Sequence, residues 1–188
     1  THQDFDVTSS ADARKAFNGL RKNTIAGNKV DVSTFSTNAV RGVRVKLGKY
    51  GVDPSQLALI TGTSGAVKML SLAEVITIDK YGPNATVVTG EIGKFDGMPV
   101  VISEKIREDL NSTAVFDGTD QDKTLLLIVY KPGWVIGDRR SITVKTWEDI
   151  QNDQMVLVAT QRIDFKPVYN AATEGIVAMG KNMSITIP

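Results

Sequence analysis

The residues able to do chemistry are few, and their spacing suits none of the common reactions. Asp117, Asp120 and Asp122 crowd one short stretch, FDGTDQD. A carboxylate cluster can hold Ca²⁺, but D-x-x-D-x-D with no bidentate Glu at the right distance does not fit an EF-hand. The expected structure is an acidic, solvated loop. Thr61–Met69, TGTSGAVKM, suggests a phosphate loop, yet Gly62 and Gly65 stand three apart and Lys68 does not follow a glycine. The backbone N–H groups and lysine of a P-loop need G-x-x-x-x-G-K-[ST]. The stretch is also one residue short of G-x-S-x-G, so it reads as a strand-to-helix turn. His2 is the sole histidine and there is no cysteine. A nucleophile–His triad or a His/Cys metal site therefore cannot be assembled. Acid–base work would fall to carboxylates, and no pair of them is singled out. No catalytic residue, metal ligand or cofactor is assigned.

The remaining candidates are charged and aromatic side chains suited to contact. Arg41, Arg44, Lys46 and Lys49 crowd one short segment; they read either as a solvated face or as a surface for phosphates or acidic neighbours. Gly137-Asp138-Arg139-Arg140 forms a second charge knot, expected in a loop. Trp134 and Trp147 are large anchors, for the core first and for an interface second. Lys and Arg number 22 against 21 Asp and Glu in 188 residues. That balance argues against a dedicated nucleic-acid binder but leaves room for a local basic face. No apolar run approaches the ~20 residues of a membrane-spanning helix. The chain begins Thr1-His2-Gln3, without an initiator Met or signal-peptide character, and reads as an excised or processed piece.

Periodicity supplies the elements that must position these residues. Ala13, Ala16, Phe17 and Leu20 follow the caps Thr8–Ser10 at helical spacing. A second helix is expected from about Ser33 to Tyr50, with Phe35, Ala39, Val40, Val43, Leu47 and Tyr50 as its stripe and Gly51 as its stop. Its cations sit in the C-terminal half, where the helix dipole favours them. Leu57–Ile60 reads as a buried strand, and Gly65–Leu72 as a brief helix. Thr86–Thr89 and Val100–Ile102 flank the turn dipeptide Asp96-Gly97 as a hairpin. Glu104–Leu110 suggests one or two helical turns, and Asn111–Lys123 a polar loop. Strands are expected at Thr124–Lys131, Ser141–Trp147, Met155–Val168 and Ser184–Ile187. Helices first and a mostly antiparallel sheet after them make an α+β layout.

An ordered series of segments resembles the major capsid proteins of tailed bacteriophages, the Hong Kong 97-type shell fold. Ala16–Asn23 resembles the segment before the spine helix of that fold. Ser33–Gly62 resembles the spine helix, the aspartate-proline turn and the first strand behind it. Asp79–Ile106 resembles the family's hairpin, and Tyr130–Val168 its closing strands. The resemblance implies a long spine helix plus a mostly antiparallel sheet, in peripheral and axial domains. Residues 1–78 would hold the peripheral part and the start of the axial domain, 79–160 the axial domain, and 161–188 the return strand and C-terminal segment. Most of the N-terminal arm and the extended hairpin arm would be missing. The implied function is construction, with no enzymatic activity: subunits forming pentamers and hexamers of an icosahedral phage head, in the virion and, during assembly, the host cytoplasm. Implied partners are other copies, scaffolding and portal proteins, and packaged DNA bound non-specifically, with no membrane. Arg41, Arg44, Lys46, Lys49, Arg139, Arg140 and Trp134 would be the subunit or DNA contacts. An encapsulin-like nanocompartment shell is the alternative of the same kind. A carboxylate-dependent hydrolase or carbohydrate-binding module is the alternative of another kind.

Overall fold

A computed structural model of the protein describes residues 18–72, 93–149, 151–170 and 173–186. Most of the first expected helix and the Thr86–Thr89 arm of the expected hairpin lie outside them. Among the described residues the chain forms strands β1 (Lys29–Asp31), β2 (Leu57–Thr61), β3 (Lys94–Phe95), β4 (Met98–Ile102), β5 (Lys123–Tyr130), β6 (Trp134–Asp149), β7 (Gln154–Pro167) and β8 (Val177–Ser184). Two helices join them, α1 (Thr37–Val45) and α2 (Thr63–Leu70). Six strands make one sheet in the order β1-β8-β5-β2-β4-β3, while, among the described residues, β6 and β7 pair only with each other. The sheet is mixed: β1–β8 and β2–β4 run parallel, and β8–β5, β5–β2 and β4–β3 antiparallel.

β5 is the centre. Leu125, Leu127 and Val129 enter one core with Ile106, Leu110, Ala114, Ile176, Val177 and Met179. Leu126 and Ile128 enter the other with Val40, Val43 and Leu47, Leu57 and Leu59, Met69, Phe95 and Met98. Because side chains alternate across a strand, burial on both faces turns the expected alternation into an unbroken apolar run.

α1 is shorter than the Ser33–Tyr50 helix of the sequence reading, so no long spine helix stands there. Its entry is delayed because Val32 N–H still donates to Lys181 O (2.9 Å) and Ser33 N–H donates to the Asp31 carboxylate (2.9 Å). The helix starts where the Ser36 hydroxyl accepts from Ala39 N–H at 3.2 Å, an N-cap bond. It ends ahead of Gly48, which has φ +54°, and a 3₁₀ turn follows over Gly48–Gly51. α2 follows β2 directly, as the strand-to-helix turn requires. Its N-cap is Gly62, which has no side chain to offer, so Glu108 supplies the acceptor instead, taking Ser64 N–H at 2.6 Å. That role helps explain why Glu104–Leu110 forms no helical turns: Leu110 pairs with Lys123 through two backbone bonds.

Three further expectations change. The last strand is β8, ahead of the expected Ser184–Ile187. Gly137–Arg140 lies within β6 instead of in a loop. The described hairpin at Asp96-Gly97 is the short β3–β4 pair; φ of +48° and +80° there suit a tight, twisted two-residue turn.

Gly65 marks the closest approach between α2 and the sheet. A Cβ there would lie 2.0 Å from Thr61 Oγ1 and 2.8 Å from Met183 Cε. Gly65→Ala is expected to cost about 1–3 kcal/mol by overpacking, read by urea unfolding. Adding Thr61→Ala should recover part of that loss.

Candidate interaction surface

The basic candidates on and after α1 separate into different roles. Arg41 grips Asp96 in the β3–β4 turn with two parallel bonds, Nε to Oδ2 at 2.7 Å and an η nitrogen to Oδ1 at 2.9 Å. This fork joins α1 to the sheet edge, and its hydrogen bond, with the Arg41 charge behind it, holds the Asp96 carboxyl below its usual range. Arg44 turns back on the chain, donating to Gly51 O (2.9 Å) and Val52 O (3.1 Å), and so closes the 3₁₀ turn. Lys46 is exposed at the helix end. Lys49 pairs with Glu174 at 2.9 Å and lies 4.9 Å from the Tyr50 ring centre. Glu174 also accepts from the Tyr50 hydroxyl at 2.6 Å. These bonds keep the Glu174 carboxyl low and raise both the Lys49 amine and the Tyr50 phenol.

Tyr50 is also the hub of an aromatic cluster, 5.0 Å from Tyr130 and 5.5 Å from Tyr169. Trp134, expected as an anchor, does anchor: it packs on the second core and stacks on Phe165 at 4.8 Å with planes 6° apart. This cluster sits where β5 ends and the β6–β7 ribbon leaves the sheet. Val168 N–H donates to Gly133 O at 2.9 Å and closes the ribbon base. Arg139 is exposed on the ribbon; Arg140 pairs in register with Arg162 between two irregularities of β6.

Sequence reasoning caught the alternation of Ser141–Trp147 but not what the ribbon presents. Cross-strand partners share a face. Val144↔Ala159, Thr146↔Leu157 and Glu148↔Met155 therefore line one face, with Ile142 beside them. Trp147↔Val156 and Lys145↔Val158 line the other. Trp147 is 73% exposed, Met155 76%, Ile142 66% and Leu157 65%. Large apolar side chains exposed in a row mark an interaction surface. The charges are also sorted along it. Glu148, Asp149 and Asp153 outnumber Lys145 toward the tip, whereas Arg139, Arg140, Arg162 and Lys166 outnumber Asp138 and Asp164 toward the base. The acidic loop is self-contained: Asp117 accepts from Asn111 Nδ2 (2.7 Å) and from the N–H groups of Thr119 and Asp120 (3.0 and 3.1 Å).

No profile of a known protein family matches the chain. Over 152 residues, 80% of this chain, it is 26% identical to the major capsid protein of Escherichia phage T5, covering 31% of that protein. The chain is similar in sequence to a phage major capsid protein. The solved structures share its fold. A chain of Mycobacterium phage Che8 superimposes with TM-score 0.58 at 14% identity, over 87% of this chain and 54% of that one. A chain from the asymmetric unit of the bacteriophage PhiM1 mature capsid gives TM-score 0.55 at 11% identity, over 81% and 47%. The chain thus spans about a third of the curated relative and about half of each solved chain. Its mixed α+β sheet is an architecture found in a phage capsid.

The Arg41–Asp96 fork yields a pH prediction. A carboxyl whose folded pKa is depressed contributes stability above its unfolded value, near ~3.9, and loses it as pH falls through the folded value. Asp96→Asn should lower stability at pH 7 by up to about 1 kcal/mol, the fork being partly exposed. It should also flatten the loss of stability below about pH 4 in thermal melts.

Proposed function

We propose that this chain is a structural part of a Hong Kong 97-type major capsid subunit, assembling with copies of itself into pentamers and hexamers of an icosahedral phage head. The observation that carries this reading is the β6–β7 ribbon. It belongs to a chain similar in sequence to a capsid protein, and it offers apolar side chains that the chain's own core does not need. A two-stranded ribbon is marginal in water by itself, so burial against another chain would stabilise it.

A second copy fits the charge pattern. Two ribbons packed antiparallel set the acidic tip of each against the basic base of the other, whereas parallel packing opposes like charges. Such a contact is isologous and repeats by symmetry. A ribbon face about 45 Å long and about 10 Å wide gives roughly 900 Å² over two copies, at the weak end of specific interfaces. Closed shells can use weak contacts because every subunit makes several at once. The near-neutral net charge of +1 adds little mutual repulsion.

Within this reading Arg139 and Arg140, with the exposed Lys46, are the contacts to neighbours or packaged DNA. Arg41, Arg44 and Lys49 set the shape of the subunit through the bonds described above, and Trp134 fixes the ribbon base. Scaffolding and portal proteins and the virion location belong to the same proposal, as does the division into axial and peripheral parts.

Leu157→Glu and Ile142→Glu test it. Both side chains are exposed in the single chain, so each variant should melt within about 0.5 kcal/mol of the parent. Each should abolish particles seen by electron microscopy in the assembling protein. Particles forming as before would refute the ribbon's role.

A further inference from the structure

The β6–β7 ribbon has a second face, which the packing of Ile142, Val144 and Leu157 on a neighbouring copy leaves open. Along β7 the alternate residues Val156, Val158, Thr160 and Arg162 share that face. Across the ladder they meet Trp147, Lys145, Thr143 and Arg140 in register. None of these pairs includes a carboxylate. Lys145 and Arg162 are exposed, and Trp147 is 73% exposed. The near-neutral total charge therefore hides a local basic strip with an aromatic ring in it.

The strip is built in a way that a ribbon facing only water would not need. Arg140 and Arg162 stand directly opposite each other, and like charges so placed destabilise a strand pair. The ladder also departs from regular register on both sides of Arg140, between Asp138 and Arg140 and between Arg140 and Thr143, with the extra residue on β6 each time. Irregularities of this kind re-aim side chains and gather at functional positions. An anion at the arginine pair turns its repulsion into attraction, and phosphate suits a guanidinium because it accepts two parallel N–H bonds. An indole beside those cations suits a nucleobase, since every base offers a face to stack. An acidic peptide would answer the cations alone and leave the indole unused.

We propose that this face is a nucleic-acid contact: Arg162, with Arg140 opposite it, takes a backbone phosphate, Lys145 takes another, and Trp147 stacks on a base. The contact is indifferent to sequence, because phosphates and stacking carry none. The inference deepens the shell reading and rests on it in giving the opposite face of the ribbon to a neighbouring copy.

The test titrates fluorescein-labelled DNA of mixed sequence, single-stranded or duplex, with the whole 188-residue chain over a series of sodium chloride concentrations, read by anisotropy. Neutralising about three phosphates gives a slope of log affinity against log salt of about −2 for the single strand and about −3 for the duplex. Arg162→Ala and Lys145→Ala should each weaken binding several-fold and reduce that slope by about 1. Lys105→Ala, at an exposed lysine outside the ribbon, should change neither. Indole quenching by the single strand that is lost in Trp147→Phe supports stacking on a base. Binding without that quenching supports the phosphate contact and removes the stacking. Binding that Arg162→Ala and Lys145→Ala leave unchanged, or no binding at low salt, overturns the proposal. Polyglutamate competing as well as unlabelled DNA also overturns it, and assigns the face to an acidic protein segment. Particle formation is read separately by electron microscopy, so either reading can fail while the other stands.

Discussion

The structure depends on a single constraint: β5 must be buried on both faces. Its two neighbours in the sheet pair with most of it, β2 over Leu126–Tyr130 and β8 over Lys123–Val129 with one irregularity between Thr124 and Leu126. Its alternate side chains then feed two cores, and β8 beside it does the same, with Val177 and Met179 in one and Ala178 and Met183 in the other. With both faces covered, α1 has a fixed platform, and Glu108 has a fixed place from which to cap α2. An interior packed this way tolerates neither extra volume nor missing volume well, and this is why Gly65 can sit so tightly on Thr61.

The ribbon obeys the opposite rule. It leaves the sheet straight after β5, through Lys131–Gly133, and carries apolar side chains outward on both faces. The aromatic contacts among Tyr50, Tyr130 and Tyr169 and the Trp134–Phe165 stack gather where it leaves. The Tyr50–Glu174–Lys49 bonds tie that junction to the end of α1. One chain thus combines a core that is complete in itself with a limb that is not. The proposed capsid role would account for that combination: a shell subunit needs a firm body and surfaces that only other chains can cover.

How much of this could be read from the sequence differs from element to element. β5 and β2 were plain because burial on both faces, or on alternate residues, leaves a direct apolar pattern. α2 was legible from its place after a strand. α1 was over-extended, since Phe35 and Tyr50 continue its stripe; the Asp31–Ser33 bond and the turn at Gly48 cut it short, and neither registers as hydrophobicity. β8 was missed because Gly180, Lys181 and Asn182, the last with φ +64°, interrupt its apolar run. Gly137–Arg140 looked like a loop because strand residues with charges and a glycine carry no alternation, and the irregular register there hides the rest. Lys68 was weighed only as part of a phosphate loop.

The central claim is that the β6–β7 ribbon is the surface through which the subunit becomes part of a shell. Cryo-electron microscopy of particles assembled by the protein addresses it directly. The account expects the face carrying Ile142, Val144, Leu157 and Met155 to be buried against a neighbouring copy, with the acidic tip close to that copy's basic ribbon base. A shell in which that face lies open to solvent, away from every neighbouring copy, would contradict it.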